Sequence, residues 1–329
     1  MRMKNNKFPL SLRWKLNRII HKFQRFMVLT HVRPDGDAIG SILALTLYLK
    51  KHRKEVWTVL EDNLEEKYRF LSCAQNTYVY DEKISAPLVD VVFILDSGDI
   101  SRIGKVQNWL SSSLIINIDH HKDNTHFGDI NWVDPAASCV GEMLFRWFGK
   151  EAKGEMTQAL FLSLATDTGF FRFSNASPEV YRMAAFLLEK GASQTAIYET
   201  LYQNRPFQFL RLVEKLLSHL ELHNEGKLAI SYITEEDMRL AECHDTEGLL
   251  EYLAMIKGVE IFILIKEREK EQISISFRTK TNYDVSILAK EFGGGGHTKA
   301  AGCSVTGDPL QWKQTILEST TRFMERYSN

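Results

Sequence analysis

Two hydrophobic rhythms run through the chain. Apolar runs at 27–30, 89–95 and 114–118 have the length and continuity of buried strands, and 54–60 reads as a further strand. Apolar positions spaced by three and four over 42–49, 141–149, 157–166 and 178–190 predict helices. Pro178 opens the last of these, where a first helical turn tolerates proline. Shorter helical pieces are predicted near 67–71 and 104–110. An amphipathic helix is predicted up to about residue 26, with Leu12, Leu16, Ile19, Ile20 and Phe23 on one face. Helices alternating with apolar strands predict an α/β fold with a mostly parallel sheet flanked by helices.

The pattern resets after a helix predicted at 206–219. Strands are predicted at 227–233, 259–266, 272–278 and 302–305, and helices at 235–241, 247–256, 285–292 and 309–327. This predicts a second, smaller α/β domain. A length of 329 residues also favours two domains. The division expected is 1–195, a helical linker over 196–215, and 216–329.

Composition narrows the function classes. Hydrophobic residues make up 44% and charged residues 25%, ordinary values for a globular protein. No run of about 18 apolar residues occurs, so no membrane span is expected. The basic stretch 1–7 is not followed by an apolar signal core. A formal net charge of −1 argues against tracking along a long polyanion. It points to a small anionic substrate or a local basic site. Cys73, Cys139, Cys243 and Cys303 form no CxxC pair, so buried thiols in a reducing cytoplasm are expected.

The candidate chemistry sits at predicted strand ends. His31, Asp35 and Asp37 follow the first strand, Asp96 ends the run at 89–95, and Asp119, His120 and His121 follow the run at 114–118. Parallel strands bring their carboxyl ends to one sheet edge, so these groups are expected to converge. Asp167 ends a predicted helix as a further acidic position. Each residue alone reads better as a turn or cap, with Gly36 allowing a sharp turn between two carboxylates. Together, unpaired carboxylates would repel one another. Bound cations remove that cost, and a pair about 3.5–4 Å apart can activate water and clamp a phosphoryl oxygen. In the second half, Gly293, Gly294, Gly295 and Gly296 precede His297. They read as a helix cap with a flexible loop, or as a backbone cradle for an anion. Arg278 ends a predicted strand, and its guanidinium fork suits phosphate. Lys299 and Arg102 are further basic candidates.

The motifs His31-xxx-Asp35-Gly36-Asp37, Asp96, Asp119-His120-His121 and Asp167-Thr168-Gly169 resemble the four ordered motifs of the DHH phosphoesterase superfamily. The run from Gly293 to Gly302 resembles the signature of the associated DHHA1 domain. Size and motif order are most similar to the branch of bifunctional oligoribonucleases and pAp phosphatases. The resemblance implies two divalent metal ions, usually Mn²⁺, with Mg²⁺ and Co²⁺ compatible with the same donors. It implies His31, Asp35 and Asp96 at the first metal, and Asp37, Asp96, His120 and Asp167 at the second. Asp96 would bridge them, Asp119 would orient His120, and His121 would face the phosphate. Arg278, Gly294, Gly295, Gly296 and His297 would bind substrate. The substrates implied are short RNA oligonucleotides, pApA-type dinucleotides and 3′-phosphoadenosine 5′-phosphate (pAp), with no membrane partner and a homodimer as candidate assembly. Two other readings stand beside it: a RecJ-like single-strand DNA exonuclease and a non-catalytic nucleotide sensor. The chain departs from the family after Phe173-Ser174-Asn175, where Ala176 replaces the usual threonine.

Overall fold

A computed structural model describes residues 8–110, 113–268 and 271–327, so the basic stretch 1–7 lies outside the described residues. The chain divides into units of residues 1–204 and 205–329.

The first unit runs α1 (Leu10–Lys22), β1 (Arg25–Leu29), α2 (Gly36–Lys51), β2 (Glu55–Leu60), β3 (Tyr78–Val79), β4 (Val91–Leu95), β5 (Leu114–Asp119) and β6 (Ile130–Val133), then α3 (Val140–Phe148), α4 (Glu155–Asp167), α5 (Pro178–Glu189) and α6 (Gln194–Tyr202). Its six strands lie in the order β3-β2-β1-β4-β5-β6, and every neighbouring pair is parallel. The chain enters mid-sheet at β1, builds to one edge, then returns to β4 and builds the other way. That reversal opens a crevice at the carboxyl ends of β1 and β4, the place where open α/β sheets bind ligands.

Both faces of the sheet are covered, which explains the unbroken apolar runs. Phe26, Val28, Phe93, Ile116 and Ile118 share one core with α2, α3 and α4. Met27, Leu29, Val92 and Ile94 point the other way, onto Ile103, Val106 and Trp109. Alternate side chains of one strand thus serve two cores.

Several expectations are corrected. The N-terminal helix ends at Lys22 and Phe26 already lies in β1, because its ring stacks on Phe93 in the core at 6.2 Å. The helical piece predicted at 104–110 belongs to a 3₁₀ stretch, Ile100–Trp109, broken at Gly104 (φ 61°). The piece near 67–71 resolves into two 3₁₀ turns, Glu66–Tyr68 and Ser72–Asn76. β6 was not anticipated; only four residues long, it offers little periodicity to read.

The second unit runs α7 (Phe207–Ser218), β7 (Glu221–His223), β8 (Leu228–Ile233), α8 (Glu235–Ala241), α9 (Leu249–Ala254), β9 (Ile261–Arg268), β10 (Gln272–Thr279), α10 (Val285–Glu291), β11 (Gly295–His297), β12 (Ala300–Thr306) and α11 (Pro309–Tyr327). Its sheet has the order β11-β12-β10-β9-β8-β7. Among the described residues, β8 and β9 pair in parallel, and the other neighbouring pairs are antiparallel. Ile263, Ile265, Ile275 and Phe277 pack with α10 and α11 on one face. Ala229, Ile233, Phe262 and Leu264 pack with α7, α8 and α9 on the other.

Candidate active site

The loop after β1 becomes the start of α2. Asp35 is the N-cap, accepting from the Ala38 N–H at 3.0 Å, which holds one orphan donor of the first turn. Gly36 is the first helical residue and makes no sharp turn, contrary to the sequence reading. Its missing Cβ leaves room for Thr166, whose side chain would otherwise lie within 2.3 Å. Asp37 is fully buried. Its carboxylate accepts from Ser41 Oγ at 2.9 Å, Val140 N at 2.8 Å and Gly141 N at 3.2 Å, and from Ser163 Oγ. The amino terminus of α3 thus points at this carboxylate, as a helix dipole favours.

Asp96 follows β4 with φ 55°, a left-handed conformation that Asp tolerates better than most residues. Its backbone N–H donates to Ile118 O at 3.0 Å, and its Oδ1 is buried with no hydrogen-bond partner. Around it stand the imidazoles. His31 Nε2 lies 3.6 Å from Asp96 Oδ2. His120 Nε2 lies 3.5 Å from Asp96 Oδ1, 3.4 Å from Asp167 Oδ2 and 3.9 Å from Asp37 Oδ2. These separations exceed ordinary hydrogen bonds. Ligand atoms that share one ion at about 2.1 Å stand roughly 3–4 Å apart, which matches. His31, Asp35 and Asp96 form one group whose donor atoms fall within 4.8 Å of one another, and Asp37, His120 and Asp167 form another. The orphaned Asp96 Oδ1 and the mixed nitrogen and oxygen donors fit divalent cations.

Electrostatics say the same. Burial, then repulsion from Asp96, pushes the Asp37 carboxyl up to about 7. Asp167 is also raised, by burial and by Asp37. Burial works against the charged form of Asp96 too, but His120 and His31 hold it well below the usual range. Mutual repulsion of this kind is relieved when a cation sits among the carboxylates.

Asp119 corrects the role implied by the resemblance. Its Oδ1 lies 2.7 Å from Nδ1 of His121, not beside His120. Both neighbouring imidazoles still face Asp96, His120 Nε2 and His121 Nδ1 lying 3.5 and 3.7 Å from its Oδ1. Asn124 Nδ2 donates to Asp119 Oδ2 at 2.6 Å and to Asn117 Oδ1 at 2.8 Å. Asn117 in turn donates to Ile94 O and Ser97 O. These two buried amides were missed by the sequence reading, although a lone Asn inside an apolar strand is a visible signal.

The helix end at Asp167 agrees with the sequence, but the left-handed turn that follows it was missed. Gly169, Phe170 and Phe171 carry φ of 56°, 56° and 65°, a backbone excursion costing on the order of 1–3 kcal/mol per non-glycine residue. Aromatic packing offsets it. Phe170 meets Tyr198 and Tyr202 at 5.0 and 5.5 Å, and Phe171 meets Phe161 and Tyr181 at 5.7 and 5.5 Å. Asn175 Nδ2 donates to Asp167 O at 3.0 Å, and beyond the departure at Ala176, Ser177 caps α5.

In the second unit, Arg278 is half-buried, and burial lowers its pKa despite the charge of Glu251. Its Nη1 donates to Phe277 O and Ala301 O. The glycine run is more structured than a cradle. Gly293 (φ 73°) and Gly294 close α10, their N–H groups donating to Lys290 O and Ala289 O, a Schellman pairing. The Gly294 N–H is therefore committed within the fold, and a Cβ there would lie 2.2 Å from Gly302 O. Gly295, Gly296 and His297 form β11 against β12.

The family comparison follows from these motifs. A model of the DHH family N-terminal domain matches residues 25–166, and a DHHA1 domain model matches 226–326. The bifunctional oligoribonuclease and PAP phosphatase NrnA of Thermus thermophilus is 33% identical, covering 91% of this chain and 90% of its own. The chain belongs to the DHH family. The Bacillus subtilis protein of the same name is 26% identical over 89% of this chain and 93% of its own. Among solved structures, an exopolyphosphatase-related protein from Bacteroides fragilis superposes with a TM-score of 0.87 at 25% identity, covering 97% of each chain. No helix among the described residues is long and apolar enough to cross a membrane, and all four cysteines are free.

Proposed function

We propose that this chain is a metal-dependent phosphoesterase that hydrolyses short oligoribonucleotides, including pApA-type dinucleotides, to nucleoside monophosphates, and pAp to AMP and phosphate. The observation that carries the reading is the buried Asp96 carboxylate, flanked by two carboxylate–imidazole groups at the sheet's switch point. Likeness to the NrnA proteins over nine-tenths of the chain supports it.

His31, Asp35 and Asp96 would hold one cation, and Asp37, Asp96, His120 and Asp167 the other, with Mn²⁺ the proposed ion and Mg²⁺ or Co²⁺ suited to the same donors. Two such ions supply Lewis acidity to a phosphoryl oxygen and lower the pKa of an attacking water. The protein's own residues do the rest. Asp119 fixes His121 through Nδ1, which orients Nε2 to donate to a phosphate oxygen or protonate the leaving oxygen. Arg278, with Gly295, Gly296 and His297, binds an anionic group of the substrate. We also propose a cytoplasmic setting, favoured by the free thiols, and a homodimeric assembly.

The test compares a 5′-phosphorylated RNA dinucleotide, pAp and a single-stranded DNA of about twenty nucleotides, each with Mn²⁺. Asp96→Asn serves as control, since Asn also tolerates the left-handed backbone. Mononucleotide release from the dinucleotide, lost in the variant, is expected, and release of phosphate from pAp establishes the second activity. Preference for the long DNA would replace this reading with an exonuclease. No turnover by metal-loaded wild type would leave a nucleotide sensor.

A further inference from the structure

The sequence contains nine Lys or Arg before its first acidic residue, Asp35, although its net charge is only −1. Part of this excess lies on α1. There, Ser11, Trp14, Lys15, Arg18, Ile19, Lys22 and Phe23 line one side of a groove of about 830 Å³, and Leu114, Asp129 and Ile130 line the other. Leu114 and Ile130 begin β5 and β6, so the groove lies at the amino edge of the sheet. The metal-type groups lie at the carboxyl edge, roughly 17 Å away for the five-residue rise of β5.

We propose that this groove binds single-stranded RNA at a site separate from the metal-ligand cluster, with a base stacked on Trp14 and phosphates held by Lys15, Arg18 and Lys22. Trp14 is 65% exposed, an unusual state for so large an apolar ring. The Arg18 guanidinium lies over it at 5.2 Å, and the Lys22 ammonium lies 4.8 Å from the Phe23 ring. Aromatic platforms interleaved with cations recognise single strands, because every base has a π face and every linkage a charge. The three cations spread over roughly 10 Å of helix axis, a strip rather than a point. The apolar floor of Ile19, Leu114 and Ile130 suits a base more than an acidic peptide. A lipid surface fits poorly, since an interfacial helix inserts its apolar face. Here Leu16, Ile19 and Ile20 are buried in the core.

The experiment titrates the full chain against a 5′-fluorescein single-stranded RNA of about twelve nucleotides, in EDTA so that nothing is cleaved, and reads anisotropy. Binding should weaken roughly ten- to twentyfold between 50 and 200 mM NaCl, as three phosphate contacts on a single strand imply. Arg18→Glu with Lys22→Glu should weaken it at least tenfold, and Trp14→Ala at least fivefold. Hydrolysis of a 5′-phosphorylated dinucleotide should stay within twofold of wild type in both variants. The proposal falls if wild type does not bind or both variants bind as wild type does. It also falls if only Arg278→Ala weakens binding, or if the α1 variants lose affinity for phosphatidylglycerol vesicles or a polyglutamate peptide while RNA binding persists. Because the readout needs no turnover, failure of the hydrolytic reading would leave this test intact.

Discussion

A histidine beside a phosphate is only as useful as the atom that faces it. Asp119, with no exposed surface, takes the Nδ1 side of His121 and is itself held by Asn124. In the proposed mechanism the carboxylate would act through the imidazole, as a positioning residue. Asp119→Asn should lower kcat about 10–100-fold, the usual loss when the partner of a site histidine is removed, with KM within about threefold. His121→Ala should cost at least as much, and the double variant no more than His121→Ala alone. Additive losses in steady-state kinetics would separate the two residues.

At the scale of elements, the site is a problem of helix spacing. α2, α3 and α4 crowd behind β1, and small residues let them approach. A Cβ on Gly40 would lie 2.5 Å from Ala159 O of α4. Helix propensity favours Ala over Gly by about 1 kcal/mol, yet a backbone carbonyl cannot swing aside. Overpacking of this kind costs about 1–3 kcal/mol, so Gly40→Ala should be net destabilising in urea unfolding, and an unchanged or raised midpoint would contradict the packing argument. This spacing explains what could be read in the sequence. The runs at 27–30, 89–95 and 114–118 announce strands because both sheet faces are buried, and the acidic residues just beyond them follow from parallel geometry. β6 and β11 were not legible. The first is short, and the second is built partly of glycines that pair only because β12 lies alongside. The tie from Asp119 to His121, the buried amides and the left-handed turn after Asp167 depend on neighbours distant in sequence, which no local pattern encodes.

Among the described residues, the His and Asp groups that could hold a metal all lie in the first unit, at the loops after β1, β4 and β5 and the end of α4. A ligand stabilises what it binds, by about 2.7 kcal/mol at a hundredfold excess over its Kd. Hydrogen exchange with Mn²⁺ against chelator should therefore show added protection in peptides covering 30–38, 95–99, 119–125 and 163–168, and none in 226–326. Equal protection across both units would mean that metal acts elsewhere. The Asp37 carboxylate has a practical consequence of another kind. It supplements the Cys139 cap of α3, accepting the Val140 and Gly141 N–H groups across more than a hundred residues of chain. An alanine there would remove a proposed ligand and also leave two buried N–H groups of the first α3 turn without their acceptor, so loss of activity in Asp37→Ala would confound chemistry with stability. The exposed Asp35 offers the cleaner inactive reference: Asn keeps the cap on Ala38 while deleting the charge.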